Sequence, residues 1–192
     1  MCDCEKTEEK STPMSSKISD FFLNSRKIFL SSEINDKVAD EIVQKLIYLD
    51  SQSHEDIYLF VNSPGGVITS GMAILDATNA VKSDVRTIVT GQAASMGAMI
   101  LANGAKGKRY SWPNARIMIH QPLISGNFQG NIVEIQTEAK EIDRMKTTLN
   151  NLLAEKTGQP IEKITKDTDR DFFMGSQEAL EYGMVDVVET LI

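Results

Sequence analysis

The sequence predicts an α/β protein in which a parallel sheet is flanked by helices. Two observations carry this. Short runs rich in β-branched and aromatic residues alternate with segments whose apolar residues recur every three or four positions, and Gly/Pro turn signals separate the two. Parallel strands need a long crossover between them, so repeated strand–helix–strand units imply parallel pairing under a helical layer. At 192 residues the chain suits one domain, long enough to bury roughly 70% of the surface its unfolded form exposes.

The opening stretch MCDCEKTEEKSTPMSS is polar, and residues 1–19 are expected to form a flexible tail before a single domain spanning 20–192. Cys2 and Cys4, the two cysteines, both lie in it. No disulfide therefore staples the body of the fold, and a lone C-x-C lacks the second ligand pair of a metal site. Past the tail, Val38, Ile42, Leu46 and Leu49 lie at helical spacing, with Asn35 or Asp36 as N-cap. DIYLFVN (56–62) reads as a strand running into the turn signal SPGG. SGMAILDATNAVKS then reads as a helix, VRTIVTG as a strand, GQAASMGAMILANGA as a helix, and RIMIHQ (116–121) as a further strand.

The segment Asn131 to Lys156 is longer than these units. Ile132, Ile135, Ala139, Ile142, Met145, Leu149 and Leu152 form one apolar stripe, Asn131 with Glu134 resembles a capping box, and Gly158 and Pro160 end the helix. At 1.5 Å per residue it would run roughly 39 Å. Such a helix either wraps the core or projects to meet another subunit, and the spacing is compatible with both.

Composition narrows the function. A formal charge of −7 provides no basic field for phosphate backbones, so nucleic acid is not an expected partner. No run approaches the ~18 apolar residues of a membrane span, and the acidic start lacks the apolar centre of a secretion signal. A cytoplasmic protein is expected.

The candidate chemistry rests on scarce residues. The two histidines are His54 and His120, so a serine nucleophile that needs an imidazole base has two choices. His54 sits in the polar loop SQSHED. His120 ends an apolar strand, where open α/β sheets gather functional groups. Ser95 comes a few residues after the strand VRTIVTG and is the matching nucleophile. The oxyanion that forms on an attacked carbonyl needs preorganised N–H donors. NSPGGV offers Gly65 and Gly66 past a strand end, and the Met96 amide lies beside Ser95 at a helix N-terminus. The acid comes from DTDRDFF, where Asp167, Asp169 and Asp171 alternate; an extended segment would point all three to one side, and spacing does not choose among them.

The motifs NSPGGVITSGM, GQAASMGAMIL, GAKGKRY, RIMIHQPL and DTDRDFF, in this order and at these spacings, resemble the proteolytic subunit family of the ATP-dependent Clp protease, over about Asp20 to the C-terminus. The resemblance implies a ClpP/crotonase-like fold with a head (about 20–120 and 160–192) and a projecting handle (about 121–159). It implies a serine endopeptidase with Ser95 as nucleophile, His120 as base and Asp171 as acid, the Gly66 and Met96 amides forming the oxyanion hole. Asp171, just before Phe172, is also expected in the driest place of the three aspartates. The resemblance further implies two stacked rings of seven subunits, of this chain alone or mixed with a paralogue, joined by the handle helix and by a ring-to-ring ion pair at Asp169 and Arg170. A AAA+ unfoldase would use ATP to feed unfolded polypeptide, the subunit itself carrying no cofactor. Two departures stand out. The N-terminal stretch lacks the family's Leu-Val-Pro-type axial motif, and QPLISGNFQGN is slightly longer than the usual Gly-rich strand of the substrate groove. The alternatives are a catalytically quiet ring subunit that modulates an active paralogue, and a crotonase-like acyl-CoA hydratase or isomerase, for which carboxylates would be expected instead of a Ser-His pair.

Overall fold

The computed structural model describes residues 14–123 and 130–192. Among them, seven strands form one mixed sheet: β1 (Lys27–Leu30), β2 (Ile57–Ser63), β3 (Val85–Ala94), β4 (Arg109–Ser111), β5 (Arg116–Ile119), β6 (Phe172–Gly175) and β7 (Val187–Val188). The spatial order is β1-β2-β3-β4-β7, all parallel, with β5 also on β3 and β6 beyond it. The expected parallel sheet is therefore corrected at one edge, where β6 runs antiparallel to β5.

Helix α2 (Asp36–Gln52) forms where the apolar spacing placed it. The Asn35 side chain caps it by accepting from the Val38 N–H at 3.1 Å, satisfying one of the orphan amides of the first turn. Its Ala39, Ile42, Leu46 and Leu49 are buried against a core that includes Ile28, Leu59, Ile74, Val89 and Ile100. Full burial of each such Leu or Ile side chain contributes about 2 kcal/mol. Helix α3 (Ile68–Ala80) comes directly after the SPGG turn. No helix among the described residues is long and apolar enough to cross a membrane.

Strand β3 changes neighbours along its length. Its first half, Thr87 to Val89, pairs with β4, and its second half, Gln92 to Ala94, pairs with β5. A break in register against β2 makes the change: Val61 lies opposite Val89, but Ser63 lies opposite Ala93. The extra residues on β3 are a bulge, which bends the strand and re-aims its C-terminal half. Residues 91–94, expected to begin a helix, belong to this strand, and helix α4 (Met96–Ala102) starts only after Ser95.

Two other expectations change. Helix α1 (Met14–Asn24) begins inside the segment 1–19 expected as a tail, while residues 1–13 lie outside the described residues. The long helix α5 (Ile132–Thr157) has the Asn131–Glu134 capping box and a left-handed Gly158 cap at φ 75°, but its stripe divides. Leu149 is buried, Ile142 and Met145 are half-buried, and Ile132 and Ile135 are exposed at 74% and 49%. Short helices α6 (Ile161–Asp167) and α7 (Ser176–Tyr182) flank β6.

A buried cation ties the far ends of α4 and α5 together. Arg109 on β4, whose side chain is 7% exposed, donates two guanidinium bonds to Asp186 at 2.6 and 2.9 Å. It also donates to the Ala102 carbonyl at the end of α4 (3.3 Å) and the Lys156 carbonyl near the end of α5 (2.9 Å). Carbonyls at a helix C-terminus lack intrahelical donors and attract positive charge. Burial works to raise the Asp186 pKa, but the Arg109 bonds and charge outweigh it and hold the carboxyl below the usual carboxylate range. A depressed folded-state pKa means that this stability is complete above the unfolded value near 3.9 and is lost as pH falls through the folded value. Asp186→Asn should cost about 3–5 kcal/mol by leaving a buried guanidinium without its counter-charge. Thermal unfolding measured from pH 7 down to pH 3 should show a shallower acid-side decline in the variant than in the parent.

Candidate active site

Ser95 sits at the junction of β3 and α4 with φ 53° and ψ −124°. A positive φ is a strained conformation for a residue with a Cβ, costing about 1–3 kcal/mol, and persists only where the surroundings enforce it. Here the Ser95 N–H donates to the Met118 carbonyl of β5 at 2.9 Å, and its own carbonyl accepts from the Ala98 and Met99 N–H groups at 2.9 and 3.2 Å. The sharp turn leaves Ser95 Oγ facing a cleft of about 560 Å³ shared with His120 and Gly66.

His120 reaches the serine because β5 pairs in parallel with the end of β3, Ala94 opposite Met118. The two chain exits are neighbours. His120 Nε2 lies 2.9 Å from Ser95 Oγ, and His120 Nδ1 lies 3.1 Å from Asp171 Oδ1. With Nδ1 protonated, the ring donates to Asp171 and accepts the serine hydroxyl proton.

The antiparallel pairing of β5 and β6 decides which aspartate meets the histidine. Ile119 lies opposite Phe172, so the next residue outward on each strand brings His120 opposite Asp171. Dryness does not decide it, contrary to expectation: the Asp171 side chain is 58% exposed, whereas that of Asp167 is 14% exposed. Nor is DTDRD extended, since Asp167 ends α6 and residues 168–170 turn. Asp167 faces away, accepting from Lys163 Nζ at 2.5 Å and the Tyr182 hydroxyl at 2.9 Å. Burial opposes its ionisation, but these two donors hold its pKa below the usual range. Burial, and the bond to Asp167, push the Tyr182 hydroxyl up. Asp169 and Arg170 are exposed beside each other, with a loose contact of 3.9 Å.

The expected oxyanion donors also converge here. Gly65 and Gly66 have φ of 92° and 149°. The Gly65 carbonyl accepts from the Ile34 N–H at 2.8 Å, and the Ile34 carbonyl accepts from Val67 at 2.9 Å, so the turn is stitched to the chain after β1. Among the described residues, neither the Gly66 N–H nor the Met96 N–H donates a hydrogen bond, and both residues line the cleft. Ile142, Met145 and Leu149 line it too, so this part of the α5 stripe faces the candidate site of its own chain. The segment QPLISGNFQGN, expected to line the groove, falls largely on 124–129, outside the described residues.

The family model described as Clp protease matches residues 9–191 of the chain. The chain belongs to the Clp protease family. The mixed α/β sheet with its flanking helices is the fold of this family, and the match begins ahead of Asp20, the start of the resemblance read from the motifs. Membership makes the chain a protease subunit of the Clp kind and implies ring assemblies that work with Clp unfoldases in general.

Sequence reasoning missed the frame that holds Asp171 in place. Gln121, next to His120, donates its amide N–H to the Thr168 carbonyl at 2.6 Å and its side-chain Nε2–H to the Asp169 carbonyl at 2.8 Å. Lys146 Nζ on α5 donates to Gln121 Oε1 at 3.0 Å. The fully buried Thr168 hydroxyl adds contacts to Asn150 Oδ1 (3.1 Å) and the Ile164 carbonyl (2.8 Å). Adjacency to His120 was the sole sequence signal for Gln121, and nothing pointed to Lys146.

The Gly65 turn has no room for a side chain. A Cβ there would lie 2.7 Å from both the Ala94 carbonyl oxygen and the Ser95 Cβ. Gly65→Ala should therefore cost about 2 kcal/mol or more in stability through strain and overpacking, and should slow the reaction of Ser95 with a fluorophosphonate beyond what the loss of folded protein explains. Thermal unfolding and labelling rates on one sample separate the two effects.

Proposed function

We propose that the chain is a serine endopeptidase subunit of a ring-shaped compartmental protease that cleaves unfolded polypeptide to short peptides. The hydrogen-bonded line from Ser95 through His120 to Asp171, at the ends of β3, β5 and the start of β6, carries this reading. His120 Nε2 takes the hydroxyl proton as Ser95 Oγ attacks the peptide carbonyl carbon, and Asp171 steadies the imidazolium and its tautomer. The Gly66 and Met96 amides donate to the oxyanion. The proton on Nε2 then passes to the leaving amine as the C–N bond breaks, leaving an acyl ester on Ser95. Water attacks the ester with His120 again as base, releasing the acid and restoring the hydroxyl.

The subunit needs no cofactor for these steps. A AAA+ unfoldase in the cytoplasm supplies unfolded chain at the expense of ATP, and the rings form from this chain alone or with a paralogue. The exposed apolar residues Ile132, Val133 and Ile135 on the first turns of α5 fit a handle that meets another ring. Asp169 and Arg170, at 58% and 90% exposure, are free to pair across it.

Ser95→Ala should abolish fluorophosphonate labelling and peptide hydrolysis. Asp171→Asn should lose peptidase rate by orders of magnitude with assembly intact, since the matching change in a chymotrypsin-type triad lowers turnover about 10⁴-fold. Asp167→Asn should mainly lower stability. Near-normal turnover by an assembled Asp171→Asn protein would remove the acid assignment. For assembly, Ile132→Asp with Ile135→Asp should yield smaller species in analytical ultracentrifugation, because a carboxylate buried at an apolar contact is heavily disfavoured. An unchanged sedimentation coefficient would show that this part of α5 makes no contact between subunits.

A further inference from the structure

The cleft around Ser95 and His120 joins two kinds of lining. Met99, Ile142, Met145 and Leu149 give it an apolar surface, while Glu33 and Glu138 bring carboxylates. Glu33 lies beside Ile34, the residue stitched to the Gly65–Gly66 turn, and Glu138 lies one turn before Ile142 on α5. Among the described residues no lysine or arginine lines the cleft, and neither carboxylate takes part in an ion pair. Lys146, on the same helix, is occupied with Gln121 Oε1 at 3.0 Å.

Glu138 is half-buried and Glu33 is exposed; a carboxylate beside an apolar wall is screened by fewer waters than one in open solvent. We propose that Glu33 and Glu138 are specificity-determining residues, and that the cleft selects peptide segments carrying an apolar side chain together with a nearby Lys or Arg. The proposal rests on the serine peptidase reading above. An apolar side chain is desolvated against Met99 and Ile142, and the ammonium or guanidinium of its neighbour supplies a counter-charge to the two carboxylates. Acidic segments meet like charge and are disfavoured. The net charge of −7 adds a long-range attraction for cationic chain that falls as salt rises.

The test uses the full-length assembled protein and three fluorogenic peptides with the same apolar residue at the cleaved bond, preceded by Lys, Gln or Glu. The expected order of kcat/KM is Lys over Gln over Glu, with Lys above Glu by about fivefold at low ionic strength, as expected of one half-buried and one exposed charge contact. The ratio should fall toward unity in the Glu33→Gln, Glu138→Gln double variant and in high salt. Comparing peptides within one variant cancels any general change in activity. Fluorophosphonate labelling of Ser95 is run alongside. Labelling with equal turnover of the Lys and Glu peptides, or a preference that survives the double substitution, overturns the charge preference alone. No labelling and no hydrolysis of any peptide overturns the peptidase reading and this inference with it.

Discussion

The break in register between β2 and β3 is the constraint on which the candidate site depends. While β2 advances from Val61 to Ser63, β3 advances from Val89 to Ala93, and the surplus backbone must leave the ladder. Gly91 and Asn62 accommodate it. A Cβ on Gly91 would come within 2.7 Å of Asn62 Oδ1, and that oxygen accepts from the Gln92 N–H at 3.1 Å. The amide freed from the ladder is thereby satisfied by a side chain. Bending at this point turns β3 away from β4 and onto β5. Without the bend, β5 would have no edge to join and His120 would have no path to Ser95.

Everything beyond the bend is placed by pairing. The β3–β5 register sets the serine and the histidine side by side, and the β5–β6 register sets the aspartate opposite the histidine. Side-chain packing contributes less to Asp171, which is 58% exposed. Its position comes from the backbone on either side: β6 after it, and before it a turn held through two carbonyls by Gln121. Because Lys146 and Asn150 hold the same frame from α5, the long helix is linked to the turn that carries Asp171. Arg109 does the same at the opposite ends of α4 and α5.

Much of this was legible in the sequence where the signal is local. The spacing of Val38, Ile42, Leu46 and Leu49 and the Asn35 cap located α2, and the Asn131–Glu134 box with Gly158 bounded α5. The scarcity of histidine pointed to His120, and the SPGG turn to Gly66. The errors came where tertiary pairing overrides local preference. GQAAS has the small residues of a helix start, yet strand pairing with β5 carries it as far as Ala94. The polar segment 1–19 carried no strong apolar period, yet α1 begins at Met14. The α5 stripe, read as one surface, divides between a cleft-lining part and an exposed part, because period alone says that residues share a face and not what covers it.

The sequence by itself determined the alternation of elements, the caps of the long helices and the residue types able to perform acyl transfer, since periodicity, turn chemistry and nucleophile–base pairing are written in neighbouring residues. The placing of Asp171, and not of its two alternating neighbours, beside His120, the strained φ at Ser95 and the antiparallel edge strand β6 were decided by the tertiary structure. Each depends on hydrogen bonds between segments distant along the chain, such as the 51 residues separating His120 from Asp171, and a register between strands has no signature within either strand.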